Sequence, residues 1–194
     1  MIFCRLDLYF FPILDIYTPI DRTILGYKEL FSPIRRFSMK KAAVIHDLSG
    51  FGKCSLTAAI PVLSALGVQC CPVATAVLTG QTGYPCYHCT DLTAMLPDYI
   101  DAWGKNNAHF DAIYSGFLTG SEQISQVLDF IRYFREEHTL LLVDPVMGDD
   151  GNAYPFFTPG LLNGMKELTL EADVITPNLT EACLLADIPE DALL

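Results

Sequence analysis

The chain has 194 residues, 51% of them apolar and 18% charged, and its net charge is −11. Length and apolar content suit one sizeable domain, or most of a larger one, and exclude disorder over most of the chain. The acidity excludes a nucleic-acid surface; a bound nucleotide would need Mg²⁺ and backbone amides rather than a basic field.

Residues 1–38 read differently from the rest. They hold Pro12, Pro19 and Pro33, aromatic clusters and no clean period of either 2 or 3.6. Asp7, Pro12 and Asp15 interrupt the apolar portion, which excludes a transmembrane helix there, and the marks of a signal peptide are missing. Met39-Lys40-Lys41-Ala42-Ala43-Val44-Ile45 looks like the start of a cytoplasmic protein that opens on a strand. Residues 1–38 are therefore expected to be an extension outside the fold, and residues 39–194 the folded part. Seven cysteines form no disulfide framework, so reduced thiols are expected. Cys86-Tyr87-His88-Cys89 has metal-ligand spacing but no second pair, which favours loop or core cysteines over zinc.

From Met39 onward strands and helices alternate. Ala42–His46 reads as a strand, and Asp47-Leu48-Ser49-Gly50-Phe51-Gly52-Lys53 as a glycine-bearing loop. A helix follows over Ser55–Leu66, closed by Gly67 and kinked at Pro61. Val68–Thr75 is a second strand, and Ala76–Cys89, rich in Thr, Gly and Pro, an excursion over the sheet edge or the site. Asp91 caps a helix through Trp103; Ala112–Tyr114 is a strand, and Ser121 opens a helix to about Glu137. Leu140–Val143 is a buried strand, and Val174-Ile175 a short one between helices at Pro159–Leu170 and Leu179–Ala186. Such alternation predicts an α/β fold, a doubly wound and mostly parallel sheet with helices on both faces. In such sheets ligands lie beyond the C-terminal strand ends, and every polar loop here follows a strand.

Each of those loops offers specific chemistry. Asp47 to Lys53 has neither the phosphate-loop spacing nor a dinucleotide fingerprint. Gly50 and Gly52 instead give room for a small substrate, with Asp47 and Ser49 as hydrogen-bonding groups; helix capping is the alternative. Thr79-Gly80-Gln81-Thr82-Gly83-Tyr84 supplies hydroxyls, an amide and a ring that could wall a heteroaromatic ligand. Asp144 and Asp149, in Asp144-Pro145-Val146-Met147-Gly148-Asp149-Asp150-Gly151, are hard oxygen donors suited to Mg²⁺. An acidic surface turn is the alternative there. Thr176-Pro177-Asn178-Leu179-Thr180-Glu181 adds another hydroxyl, amide and carboxylate, or else caps the last helix.

Taken together, Asp-Pro-Val-Met-Gly-Asp with Gly151 and Tyr154, then Thr-Pro-Asn-x-x-Glu, resemble the pyridoxal/pyridoxamine kinases of the ribokinase-like superfamily. Thr82-Gly83-Tyr84 and Ser115-Gly116-Phe117-Leu118 resemble further segments of the same kinases, and the likeness covers about residues 40–187. The resemblance implies ATP- and Mg²⁺-dependent phosphorylation of the 5-hydroxymethyl group of pyridoxal, pyridoxamine or pyridoxine. It implies that Asp47, Ser49, Gln81, Thr82 and Tyr84 bind the ring. It implies that Asp144, Asp149, Tyr154, Thr176, Asn178 and Glu181 serve the nucleotide and phosphates, with Asp144, Asp149 and Glu181 at the metal. Homodimers are common in such kinases.

Two departures leave the ring open. Asp47 stands where many pyridoxal kinases have Ser and is closer to hydroxymethylpyrimidine kinases, and Gln81 stands where His is frequent. The family's catalytic base, the Asp of a Gly-x-Gly-Asp motif downstream of Thr-Pro-Asn, has no counterpart among the 194 residues. No catalytic residue is therefore assigned here. The base is expected downstream of Leu194, and the chain alone is expected to be inactive. The alternatives are a hydroxymethylpyrimidine kinase or a non-catalytic pyridine-binding module.

Overall fold

The computed structural model describes residues 39–188. The expectation for residues 1–38 lies outside them. In chain order the elements are β1 (Lys41–Ser49), α1 (Ser55–Ala65), β2 (Gln69–Leu78), β3 (Cys89–Asp91) and α2 (Leu96–Lys105). Then come β4 (Ala112–Ser115), α3 (Ser121–Phe134), β5 (Leu140–Val143), β6 (Gly148–Asp149) and β7 (Asn152–Ala153). The last are α4 (Pro159–Leu170), β8 (Val174–Ile175) and α5 (Leu179–Ala186).

Six strands make one sheet in the order β3-β2-β1-β4-β5-β8. All neighbouring pairs are parallel except β2 with β3. β1 lies at its centre, and Ala42 to Asp47 are buried without interruption, as a strand covered on both faces requires. Ala43 and Ile45 point to the larger core, where Val73, Ile113, Leu141 and Val143 meet residues of α2, α3 and α4. Trp103, Phe110, Phe130 and Phe134 stack against one another within that layer. Ala42 and Val44 point the other way, to Leu56, Ala59 and Leu63 of α1.

The doubly wound reading holds, and several elements differ from expectation. β1 and β2 each run three residues further than the sequence pattern suggested, to Ser49 and Leu78, so Asp47 and Ser49 are strand residues rather than loop residues. Between His46 and Leu48 the pairing with β2 jumps from Ala74 to Val77. A bulge of this kind re-aims the side chains beside it. The Thr/Gly/Pro-rich excursion returns as the antiparallel edge strand β3, and β6 and β7 form a small separate hairpin. α1 passes through Pro61 as one helix and is followed by Gly67 at φ +76°, a left-handed turn that suits glycine. Asp91 Oδ1 accepts the Thr93 amide at 2.7 Å, capping a short 3₁₀ turn ahead of α2 rather than α2 itself. Among the described residues no helix is long and apolar enough to cross a membrane.

Candidate functional site

A cavity of about 470 Å³ opens at the C-terminal ends of β1, β2, β4 and β5, beside α1. His46, Asp47 and Ser49 reach it from β1, Gln81 and Thr82 from the loop after β2, and Tyr114 from β4. Asp144 enters from the end of β5 and Tyr154 from the segment after β7, while Ala58, Val62 and Leu63 of α1 give an apolar wall. Loops far apart in sequence thus meet at one edge of a parallel sheet, where its ligands bind.

The β1 side is tightly built. The Ser49 hydroxyl donates to Asp47 Oδ2 at 2.8 Å, and both residues are buried. The next loop is bolted to the one after β2: Gly50 N donates to Leu78 O at 2.8 Å, and Gln81 N to Phe51 O at 2.9 Å. At Gly52 the backbone has φ +112°, and a Cβ there would sit 2.7 Å from Gln81 Cγ. Gly52 therefore needs to be glycine for Gln81 to lie where it does. Tyr84, expected to wall the ring, does not line the cavity; its ring packs on Phe51, centroids 4.8 Å apart, and is 38% exposed.

The second side is acidic. Burial raises the Asp144 carboxyl above its ordinary value, and a hydrogen bond from the Thr176 hydroxyl opposes the rise. Glu181 is buried, with Oε1 accepting from Met147 N at 3.2 Å and Oε2 from Asn178 N at 2.9 Å. Burial raises its carboxyl, the two amides oppose that, and the charge of Asp144 adds to it. Asn178 caps α5 by accepting from Glu181 N at 2.9 Å, and donates from Nδ2 to Gly148 O at 2.8 Å. Capping and clamping are thus done by the two ends of one side-chain amide. β6 and β7 turn at Asp150 and Gly151, both at positive φ (48° and 75°), the conformation an Asp-Gly hairpin turn adopts. Burial raises the Tyr154 hydroxyl, and Asp149, Glu181, Asp144 and Asp150 add to it, so this ring sits among four carboxylates.

These acids do not form a cage. Asp149 is exposed on β6, and its Oδ1 accepts from the Asp150 amide at 3.0 Å. Both oxygens of Glu181 already serve amides. Among the described residues no group of three or more His, Cys, Asp or Glu is arranged to hold a metal. Thus Asp144, Asp149 and Glu181 are not brought together as three ligands, and Cys86 and Cys89 are free thiols. The donor set still fits Mg²⁺, which takes one or two protein carboxylates and fills its shell with water and phosphate oxygens. Among the described residues, none of Asp144, Asp149, Asp150 and Glu181 forms an ion pair with a basic side chain.

Of the cavity residues that were not anticipated, His46 has the most chemistry to offer. His46 is buried, its Nε2 has no hydrogen-bond partner, and its ring stands edge-on to Tyr114 with centroids 4.3 Å apart. A Cβ at Gly116 would overlap that ring, so the Ser115-Gly116 step is what lets the imidazole lie against β4. Period-2 alternation from Ala42 and Val44 could have put His46 on the α1 face. The close approach at Gly116 has no local sequence signal.

A family model described as phosphomethylpyrimidine kinase matches residues 52–192. The chain belongs to that family. Its members and relatives fit the ribokinase-like reading of the sequence. A pyridoxine/pyridoxal/pyridoxamine kinase of Bordetella avium is 34% identical over 143 residues, covering 70% of this chain and 47% of that protein. Among solved structures, a Bacteroides thetaiotaomicron protein described as a phosphomethylpyrimidine kinase and crystallised with pyridoxal is 48% identical, with a TM-score of 0.77. That match covers 78% of this chain and 53% of the other. Pyridoxal kinase of Lactobacillus plantarum is 35% identical, TM-score 0.73, over 78% of this chain and 54% of that one. The chain therefore spans about half the length of these relatives.

Proposed function

We propose that residues 39–194 are part of a ribokinase-like kinase domain, with residues 1–38 outside it. The protein transfers the γ-phosphoryl group of ATP to the hydroxymethyl group of pyridoxal, pyridoxamine or pyridoxine, in the cytoplasm. One observation carries this reading. The cavity of about 470 Å³ combines an apolar wall from α1 with Asp47, Ser49, Gln81 and Thr82 at one end and Asp144 and Tyr154 at the other. The likeness to a pyridoxal-bound relative at 48% identity supports the same ring.

Phosphoryl transfer asks the protein mainly to position the two substrates and offset charge. Asp47, Ser49, Gln81 and Thr82 hold and orient the ring. Asp144 would hold Mg²⁺, which would supply charge neutralisation for the nucleotide phosphates. Thr176 steadies Asp144, while Glu181 and Asn178 hold the Met147–Gly148 backbone and the start of α5 in place for the phosphates. Asp149 and Tyr154 border that region. A homodimer fits the outer side of α1, a helix with no charged residue, where Ile60 and the Leu66 that follows the helix are exposed.

The second reading, a hydroxymethylpyrimidine kinase, is favoured by Asp47 and by the description of the family model. ATP-dependent phosphorylation of pyridoxal and of hydroxymethylpyrimidine, measured side by side, separates the two. Binding and turnover are scored separately, because no Gly-x-Gly-Asp follows Thr176-Pro177-Asn178 among the 194 residues. Calorimetric binding of pyridoxal without turnover supports a ring-holding portion whose base comes from another segment. Preferential phosphorylation of the pyrimidine overturns the pyridine assignment.

A further inference from the structure

His46 has the features of a ligand-facing group. It is 4% exposed, lies at the C-terminal end of the central strand and lines the cavity. Its position is fixed by the edge of Tyr114 on one side and the bare backbone of Gly116 on the other. Its Nε2 nonetheless has no partner. A buried polar atom without a hydrogen bond is an expense that folded proteins avoid unless something else supplies the partner.

We propose that His46 is a specificity-determining residue whose imidazole donates a hydrogen bond to an oxygen substituent on the ring of the bound substrate. This rests on the pyridine-kinase reading above and adds to it which ring is preferred. The donor argument rests on which cavity residue is left with an unmet polar atom: among the lining residues only His46 has a buried side-chain nitrogen or oxygen without a partner. Asp47 and Asp144, when ionised, only accept, Ser49 already gives its proton to Asp47, and Gln81 and Thr82 can donate from the loop after β2. A ring hydroxyl or its anion would supply the acceptor that His46 lacks. Burial pushes His46 down to about 4, so at neutral pH the imidazole is uncharged and keeps one N–H. Tyr114 also lines the cavity, but it serves here to hold the imidazole edge-on.

Two probes that differ only at the ring oxygen test this, pyridoxine and 3-deoxypyridoxine, titrated calorimetrically into the whole chain. The wild-type protein is expected to bind pyridoxine roughly three- to tenfold more tightly, the range of one neutral hydrogen bond. His46→Leu is expected to erase that difference, and His46→Gln to restore part of it. The wild-type imidazole signals give a readout that needs no variant: of the four histidines, His46 alone should shift with pyridoxine and stay in place with 3-deoxypyridoxine. Equal discrimination by wild type and His46→Leu, or a silent His46 signal on pyridoxine binding, overturns the assignment while leaving the kinase reading intact. Loss of discrimination in Tyr114→Phe or Thr82→Val but not in His46→Leu makes that hydroxyl the donor and also overturns it. Failure of the wild type to bind either probe overturns the kinase reading, and this proposal with it.

Discussion

The buried carboxylate of Glu181 bridges two backbone amides, Met147 N at 3.2 Å and Asn178 N at 2.9 Å, and so joins the segment after β5 to the first turn of α5. In sequence Glu181 reads as a phosphate or metal residue. In the fold both of its oxygens accept from backbone amides, so it braces two segments against each other.

Glu181→Ala leaves both amides without their acceptor. Each buried unsatisfied donor costs about 1–3 kcal/mol, so a loss of roughly 2–4 kcal/mol in urea-unfolding free energy is expected. Glu181→Gln keeps one acceptor oxygen and should lose less than half as much. Equal losses would mean that the charge, rather than the acceptor geometry, holds the segment.

Gly116→Ala drives a methyl group into the His46 ring. Overpacking of this kind costs about 1–3 kcal/mol. The expected result is a lower melting temperature together with weaker pyridoxine binding, since the imidazole has to leave its seat. Unchanged calorimetric binding in a destabilised variant would separate the packing role from the ligand role.

Asp144 gives a pH prediction. Burial raises its carboxyl in the folded state, so the folded chain takes up that proton more readily than the unfolded one. Its stabilising contribution is therefore full at low pH and lost as pH rises through the folded value. Asp144→Asn should raise the melting temperature of the metal-free protein at neutral pH. The wild type should gain stability from Mg²⁺ at neutral pH and progressively less on acidification, because proton and metal compete for one carboxylate. A Mg²⁺ response in Asp144→Asn equal to that of the wild type would remove Asp144 from the metal site.

Much of this was legible because a parallel sheet writes itself plainly. Leu140–Val143, Pro159–Leu170, Val174–Ile175 and Leu179–Ala186 emerge with the boundaries that periodicity, Pro and capping residues suggest. β3, β6 and β7 were not legible. They have two or three residues each, and pairing with a neighbour, rather than local propensity, makes them strands. Of the site, Asp47, Ser49, Gln81, Thr82, Asp144 and Tyr154 meet at the cavity because strand ends converge there. Tyr84 and Asp149 follow strands too, but lie on outward-facing parts of the loop and the hairpin, where solvent competes. His46 stayed hidden inside an apolar run; its meaning comes from Gly116, seventy residues later in the chain.

The strand order sets unequal local stabilities within the one site. Ala43, Val44 and Ile45 on the central strand are fully buried, whereas Val174 and Ile175 form a two-residue strand that pairs only with β5 among the described residues and is more than 40% exposed. Local opening starts where few backbone bonds are protected, and it need not involve the rest of the fold. The amides around Ile175 should exchange hydrogen through brief fraying of the sheet edge, and those around Ile45 only when the whole domain unfolds. The floor under the ring is thus rigid before any ligand arrives. The shelf proposed for the phosphates would breathe on its own, and a nucleotide would be the agent that quiets it.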